Sequence, residues 1–244
     1  MWQFTSISGH PAECFVPSSF RSEDGAILFL HGYAGESLQH HPAFSDVFEK
    51  WGLPVVCPMI PQCWWLDRVS TRFDRTVTPQ QYLRLQVCEW VEKEWGVAFP
   101  RIGLLGISVG GQGVLQLAYR DALRFPVVAA ISPAIDFDRI YDRGFGIEDL
   151  FPDSETARQE TAILNLHPLN WPKSQFFCSD PFDANWHDGA ERLASKLASS
   201  GIPHRCDLRT SHGGHGWPYF ESMAEPAVDF IAQGLKRLVV DLPR

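Results

Sequence analysis

The residues of this 244-residue sequence best suited to chemistry surround Ser108, the centre of a Gly-x-Ser-x-Gly motif at positions 106–110. A serine hydroxyl attacks a carbonyl carbon efficiently only when a histidine takes its proton and a carboxylate orients that histidine. The motif follows the apolar run 102–105 directly and opens a helical run. A sharp strand-to-helix turn of this kind is how a nucleophilic serine is exposed at the end of a sheet. The sequence therefore predicts nucleophilic catalysis by Ser108.

The orienting acid and the base are expected on later loops, in the chain order serine, acid, histidine. Asp180 and Asp183 follow the predicted strand 175–178. Asp180 is the predicted acid because it lies nearest the strand end, where position is most rigid, and Asp183 is the alternative. His215, between two glycines, is the predicted base, with His212 as its competitor. This histidine pair has no third or fourth ligand nearby in sequence, so neither a metal nor a cofactor is predicted.

An oxyanion in the transition state needs two preorganised N–H donors. The residue after the nucleophile, Val109, supplies one, and the loop 31–35 after the apolar run 26–30 supplies the other. We assign the second donor to the Tyr33 amide, allowing a shift of one residue. His31 is interpreted as a buried residue that orients this loop, not as a catalytic group.

Short apolar runs alternate with helical segments in the order expected for a mostly parallel sheet with helices on both faces. The predicted strands are 3–8, 12–16, 26–30, 55–57, 102–105, 127–131, 175–178 and 204–208, the first two forming an antiparallel edge.

A capping box at Thr78 predicts a helix that ends at Gly96. In the glycine-rich turn, side chains at Gly106 or Gly110 would collide with neighbouring backbone. We expect a single domain over 1–244, with an insertion at 135–171, after the sixth strand, that caps the active site.

Composition excludes several classes of protein. With 45% apolar and 20% charged residues, the chain is not disordered. A net charge of −8 without a basic stripe disfavours nucleic-acid and anionic-membrane partners. The N-terminus lacks the features of a signal peptide, and no apolar run approaches membrane-spanning length. We expect a cytoplasmic protein whose six widely spaced cysteines are reduced.

Aromatic residues suggest where a substrate binds. Trp64 and Trp65 lie on the loop after the fourth strand, and Phe145 lies in the insertion. The tryptophan pair is interpreted either as a local core plug or as the wall of an acyl or aryl pocket. Phe145 is interpreted either as a roof over the same pocket or as part of the core.

These motifs together resemble the α/β-hydrolases, and more narrowly the esterase D-type serine esterases. The resemblance rests on the His31-Gly32 loop, the Gly-Ile-Ser-Val-Gly-Gly turn, the Asp180 loop and the segment 213–220, Gly-Gly-His-Gly-Trp-Pro-Tyr-Phe. It covers about residues 14–220 and implies a serine esterase for short acyl, thioester or feruloyl-type substrates. The loop 30–35 departs from the LSGLTC-like loop of that group's formylglutathione hydrolases, which argues against a glutathione-thioester role.

The leading hypothesis is a carboxylesterase that hydrolyses small acyl or aryl-acyl esters through an acyl-enzyme on Ser108. A thioesterase, peptidase or acyltransferase would use the same residues, because pocket shape selects the leaving group and the acceptor. A non-catalytic α/β-hydrolase-fold protein that binds a small ligand is the hypothesis from another class. The expected partner is a small-molecule ester, and the sequence is compatible with a homodimer without demanding one.

Overall fold

Eight short strands form one sheet in the computed structural model, which describes residues 1–241 of the chain. The strands are β1 (Trp2–Ile7), β2 (His10–Phe15), β3 (Ala26–Leu30), β4 (Val55–Pro58), β5 (Ile102–Ile107), β6 (Val127–Ile131), β7 (Ser174–Cys178) and β8 (Arg205–Asp207). Their order in the sheet is β1-β2-β4-β3-β5-β6-β7-β8. In this order, all neighbouring strands between β4 and β8 pair in parallel, whereas β2 is antiparallel to both β1 and β4. The predicted parallel sheet with an antiparallel edge is confirmed.

Helices cover both faces of this sheet. They are α1 (Pro42–Trp51), α2 (Pro79–Gln81), α3 (Cys88–Trp95), α4 (Val109–Arg120), α5 (Ser154–Gln159), α6 (His187–Ser199), α7 (Trp217–Ser222) and α8 (Ala224–Asp241). Buried residues of α3, α4 and α6 share one hydrophobic cluster, and those of α1, α7 and α8 share the other. No helix in the described part of the chain is long and apolar enough to cross a bilayer.

Strand β3 shows why its sequence is continuously apolar. Leu28 and Leu30 belong to the cluster on the α4 side, and Ile27 and Phe29 belong to the cluster on the α8 side. Successive side chains of a strand point to opposite faces, so a strand covered on both sides has no polar position.

The helical stretch that starts after Thr78 was predicted from its caps. The Thr78 hydroxyl accepts a hydrogen bond from the Gln81 N–H at 3.1 Å, and the Gln81 side chain accepts one from the Thr78 N–H at 3.2 Å. Gly96 ends the stretch with a φ of 67°, a left-handed conformation that glycine adopts at low cost. A π-helical segment, Tyr82–Val87, joins α2 to α3 and was not predicted.

The predicted insertion lies between β6 and β7. It contains α5 and two short 3₁₀ helices, Phe137–Ile140 and Ala162–Asn165. Glu160 fixes it to α4, because its carboxylate pairs with Arg120 at 2.7 Å. Since the insertion leaves the carboxyl end of β6, it is positioned beside the loops that carry the predicted site residues.

Candidate active site

Ser108 occupies the sharp turn between β5 and α4. Its φ of 56° and ψ of −117° are strained for a residue with a side chain. Backbone hydrogen bonds hold it there: its N–H donates to the Ile131 carbonyl at 2.9 Å, and its carbonyl accepts from the N–H groups of Gln112 and Ala134 at 3.1 and 2.9 Å. The turn therefore presents the hydroxyl in one direction.

Two glycines make this turn possible. A Cβ atom added to Gly106 would collide with the backbone carbonyl of Gly110. One added to Gly110 would collide with the carbonyl oxygen of Leu30 on the neighbouring strand. The prediction that this turn excludes side chains is confirmed.

His215 lies opposite Ser108 on the loop after β8. Its Nε2 atom is 2.9 Å from the Ser108 Oγ atom, and its ring packs edge-on against Phe220 with centroids 5.2 Å apart. Within residues 1–241, the side chain of the competing histidine, His212, makes no hydrogen bond to Ser108, and its backbone N–H donates to the Asp180 carboxylate at 2.6 Å. The structure thus brings together the predicted nucleophile and the predicted base.

Asp183 is the carboxylate that contacts this histidine. Its Oδ2 atom lies 2.6 Å from the Nδ1 atom of His215. Its Oδ1 atom accepts hydrogen bonds from the N–H groups of Asn185 and Trp186, both at 3.1 Å. Asp183 is 2% exposed, so the carboxylate is buried and held at both oxygens.

The prediction that Asp180 is the acid facing His215 is wrong. Its carboxylate is buried and turned toward the loop backbone, accepting hydrogen bonds from the N–H groups of Phe182 (2.8 Å), His212 (2.6 Å) and Gly214 (2.9 Å) and from the Ser211 hydroxyl (3.0 Å). Burial alone would raise the pKa of Asp180, but these hydrogen bonds together lower it below its usual range. Asp180 therefore organises the histidine loop.

The N–H groups of the two predicted oxyanion donors, Val109 and Tyr33, make no hydrogen bond in the part of the chain that the structure describes. Val109 is the first residue of α4, where an N–H has no acceptor within the helix. Within residues 1–241, the Tyr33 N–H likewise donates no hydrogen bond, although the Tyr33 carbonyl accepts one from the Gln62 N–H at 2.8 Å. A Cβ atom on Gly32 would lie 3.5 Å from the Ser108 Cβ atom, so this loop approaches the serine closely.

His31 holds the loop that carries Tyr33. Its Nε2 atom accepts a hydrogen bond from the Ile60 N–H at 2.9 Å, which places the ring proton on Nδ1, 2.6 Å from the Gly32 carbonyl oxygen. Burial lowers the pKa of His31 to about 4, so the ring is neutral near pH 7. The structure agrees with the interpretation of His31 as a loop-orienting residue.

A cavity of about 420 Å³ opens over Ser108 and His215. Its walls are largely aromatic and aliphatic and come from the loops after β3, β4 and β7, the insertion, the histidine loop and α7. The side chains that define it are Tyr33, Trp64, Ile140, Phe145, Trp186, Trp217 and Phe220. Trp64 and Phe145, both predicted pocket residues, line it and are joined by a 2.8 Å hydrogen bond from the Trp64 indole to the Phe145 carbonyl.

Trp65 is not a pocket residue, which corrects the third prediction for the cavity wall. Its side chain is fully buried, and its indole N–H donates to the His31 carbonyl at 3.1 Å. It packs so closely on α4 that a Cβ atom at Gly113 would collide with it. The adjacent tryptophans thus divide into a wall residue and a core residue.

Several cavity residues were missed from sequence. Trp217, two positions after His215, stacks on His41 with ring centroids 3.3 Å apart, and its indole N–H donates to the Glu36 carboxylate. Arg143 also lines the cavity. Trp217 was visible in the motif around the histidine, whereas Arg143 had no signal beyond its proximity to Phe145.

Residues 1–241 contain no group of three or more histidines, cysteines or carboxylates placed to hold a metal ion. The six cysteines are all free thiols; five are buried and Cys206 is exposed.

Known proteins resemble this chain in three-dimensional structure but not in sequence. No protein-family model matches the chain, and no curated protein is significantly similar in sequence. A ferulic acid esterase superposes with a TM-score of 0.75 at 15% identity, over 96% of this chain and 98% of that chain. FphF, a fluorophosphonate-binding serine hydrolase of Staphylococcus aureus, superposes with a TM-score of 0.75 at 13% identity, over 95% of this chain and 96% of that chain. An S-formylglutathione hydrolase from Agrobacterium tumefaciens superposes with a TM-score of 0.74 at 14% identity, over 96% of this chain and 94% of that chain. The chain therefore has the α/β-hydrolase fold.

Proposed function

We propose that this protein is a serine hydrolase that cleaves small carboxylic esters through an acyl-enzyme on Ser108. The observation that carries the proposal is an unbroken hydrogen-bonded chain. Ser108 Oγ lies 2.9 Å from His215 Nε2, and His215 Nδ1 lies 2.6 Å from Asp183. Ser108 and His215 face a largely apolar cavity whose size suits a small acyl or aryl-acyl group.

The chemistry follows from these positions. His215 Nε2 takes the hydroxyl proton as Ser108 Oγ attacks the acyl carbon, and Asp183 holds the ring and stabilises the imidazolium that forms. The amides of Tyr33 and Val109 donate to the oxyanion. The tetrahedral intermediate collapses when His215 returns the proton to the departing alcohol oxygen. Water, deprotonated by His215, then attacks the acyl-enzyme and releases the acid and Ser108.

The class of substrate is supported by the cavity and by the structural relatives. A ferulic acid esterase and an S-formylglutathione hydrolase are among the proteins that share this fold over nearly their full length. The two names describe cleavage of an acyl–oxygen bond and of an acyl–sulfur bond, and this site would perform either by the mechanism above. We favour oxygen esters because the loop after β3 departs from that of the formylglutathione hydrolases.

Intact-mass measurement after treatment with a fluorophosphonate tests the proposal. The wild type should gain one adduct, Ser108→Ala should gain none, and His215→Ala should react far more slowly. His212→Ala is the matched control: the residue lies on the same loop with an exposed side chain, and alanine keeps its N–H bond to Asp180. No adduct on the wild type, beside a control hydrolase that labels, would favour the non-catalytic ligand-binding alternative.

A substrate panel then tests the ester assignment. Nitrophenyl acetate, butyrate and benzoate, a matched thioester and a matched anilide should be cleaved in the order ester, thioester, anilide. Faster turnover of the anilide than of the ester would contradict the assignment and point to a peptidase.

A further inference from the structure

The cavity contains one positively charged side chain that the proposed mechanism does not use. Among its lining residues, all within the described part of the chain, Arg143 is the only lysine or arginine. The other lining groups that can carry charge are Glu36, the buried His31 and the base His215. Arg143 is exposed and comes from the insertion.

The Arg143 guanidinium has no partner within residues 1–241, neither an ion pair nor a hydrogen bond. Neighbouring arginines differ in this respect. Arg139, in the same insertion, pairs with Asp188 at 3.3 Å, and Arg72 pairs with Asp149 at 2.7 Å. Among the described residues that line the cavity, the one carboxylate, Glu36, accepts a hydrogen bond from the Trp217 indole. Arg143 is therefore available to a ligand.

The backbone that carries Arg143 is held against the cavity wall. Asp142, Gly144 and Gly146 have φ values of 59°, 80° and 71°, so the segment is a succession of tight turns. The Phe145 carbonyl accepts the Trp64 indole N–H at 2.8 Å, and the Phe145 ring packs edge-on against Tyr33. Since Tyr33 also supplies a proposed oxyanion donor, these contacts tie the Arg143 segment directly to the reaction centre.

We propose that Arg143 determines specificity by binding a carboxylate that the substrate carries in addition to its scissile ester. This inference rests on the proposed esterase function and adds the charge of the substrate to it. A guanidinium can bind a carboxylate with two parallel hydrogen bonds. The chain carries a net charge of −8, which disfavours anionic ligands in general, and Arg143 supplies the local positive charge that a carboxylate at this cavity would bind. The aromatic walls hold the apolar part of the same molecule.

Two pairs of esters test where the charge is recognised. In the first pair, 4-nitrophenyl hemiadipate carries a carboxylate on the acyl side, and 4-nitrophenyl hexanoate has the same carbon chain without it. In the second pair, 3-carboxyphenyl butyrate carries the charge on the leaving group, and phenyl butyrate lacks it. The quantity compared is the ratio of kcat/KM for the charged ester to kcat/KM for its neutral partner.

Arg143→Gln should lower this ratio about tenfold in at least one pair, as expected for loss of a charge-assisted hydrogen bond at a partly solvated site. Arg143→Glu should lower it further, and Arg143→Lys should restore part of it. In the wild type, added salt should raise KM for the charged ester of that pair, and this dependence should weaken in Arg143→Gln. Arg139→Gln is the matched control and should leave both ratios within twofold of wild type.

Ratios that stay within twofold of wild type in both pairs for Arg143→Gln and Arg143→Glu would overturn the inference. If the neutral esters are still hydrolysed in that case, the proposed esterase function stands and only the role of Arg143 fails. If the wild type cleaves none of the four esters and gains no fluorophosphonate adduct, both proposals fail. Thermal unfolding of the three Arg143 variants should match wild type, because the guanidinium has no ion pair or hydrogen bond to lose within residues 1–241.

Discussion

The Nδ1 atom of His215 lies 2.6 Å from Asp183, while Asp180, three residues earlier, binds the backbone of the loop that carries the histidine. The two carboxylates have separate tasks. Asp183 orients the imidazole ring, and Asp180 holds the loop that presents it. This division predicts that the two aspartates differ in what their loss does.

Asp183→Asn should lower kcat by about 10³- to 10⁴-fold while changing KM little. An asparagine amide can donate to Nδ1 but cannot stabilise the imidazolium, so it favours the wrong tautomer and withdraws charge stabilisation in the transition state. Steady-state kinetics with a nitrophenyl ester give this comparison. A loss of less than tenfold would contradict the assignment of Asp183.

Asp180→Asn should affect stability more than chemistry. An amide nitrogen in place of one carboxylate oxygen would face donors such as the His212 and Gly214 N–H groups and leave them without an acceptor. Lost hydrogen bonds to a buried charge cost about 1.5–3 kcal/mol each. Urea unfolding should show the loss, with kcat reduced much less than in Asp183→Asn. The opposite order in the two assays would restore Asp180 as the orienting acid.

The stability loss in Asp180→Asn should also depend on pH. The folded-state pKa of Asp180 is depressed, so its contribution is fully present above the unfolded-state pKa of about 4 and is lost as pH falls through the folded value. The difference in unfolding free energy between wild type and variant should therefore narrow below about pH 4. A difference that widens under acid would contradict the depressed pKa.

The sequence alone could not decide which of the two aspartates orients His215. Both follow the end of β7 at Cys178, and proximity to the strand favoured Asp180. A turn decides the matter: the Asp183 N–H donates to the Asp180 carbonyl at 2.9 Å, which reverses the chain and directs Asp183 toward the histidine. Strand-end rigidity was a sound criterion for the loop as a whole but not for residues within it.

The fold was more predictable than the details of its loops. The strands at 26–30 and 127–131 match their predicted limits, since strands buried on both faces are continuous apolar runs. The six-residue helix α7 was missed because so short an element shows little periodicity. Trp65 lies in a loop with a φ of 53°, where the direction of a side chain cannot be inferred from spacing.

Gly110→Ala should destabilise the protein by about 3 kcal/mol or more, or prevent folding, because the added methyl group collides with the rigid carbonyl of Leu30. Gly216→Ala is the control for this comparison. Its added Cβ atom would meet only the Pro218 ring at 3.7 Å, an ordinary contact. Thermal and urea unfolding should show Gly216→Ala close to wild type, and an equal loss in both variants would refute the steric explanation.

Trp64 and Trp65 should differ when each is replaced by phenylalanine. Trp65→Phe leaves the buried His31 carbonyl without its donor and removes packing on α4, so unfolding free energy should fall by about 2 kcal/mol or more. Trp64→Phe releases the Phe145 carbonyl at the cavity wall, so its main effect should be a higher KM for aryl esters. Calorimetry and kinetics on both variants give the test, and a stability loss confined to Trp64→Phe would reverse the two roles.

His31 should make the folded state sensitive to mild acid. Burial lowers the pKa of His31 to about 4, against about 6.5 in the unfolded chain. Between about pH 4 and about pH 6.5, His31 is protonated in the unfolded chain but neutral in the folded chain. The free energy of unfolding therefore falls as pH drops from about 6.5 to about 4. The full effect is about 3 kcal/mol, with no further contribution below the folded value.

Urea unfolding at pH 7, 6, 5 and 4.5 measures this dependence. His31→Gln should be less stable than wild type at pH 7, because two buried hydrogen bonds are altered, but its stability should decline less steeply between about pH 6.5 and 4. His40→Gln, which replaces an exposed histidine nine residues further along the chain, should keep the wild-type slope. Equal slopes in all three proteins would mean that the His31 ring takes up a proton without disturbing the fold. The Gly32 carbonyl and the Ile60 N–H would then not fix its tautomer, and the loop that presents the Tyr33 amide would depend on other contacts.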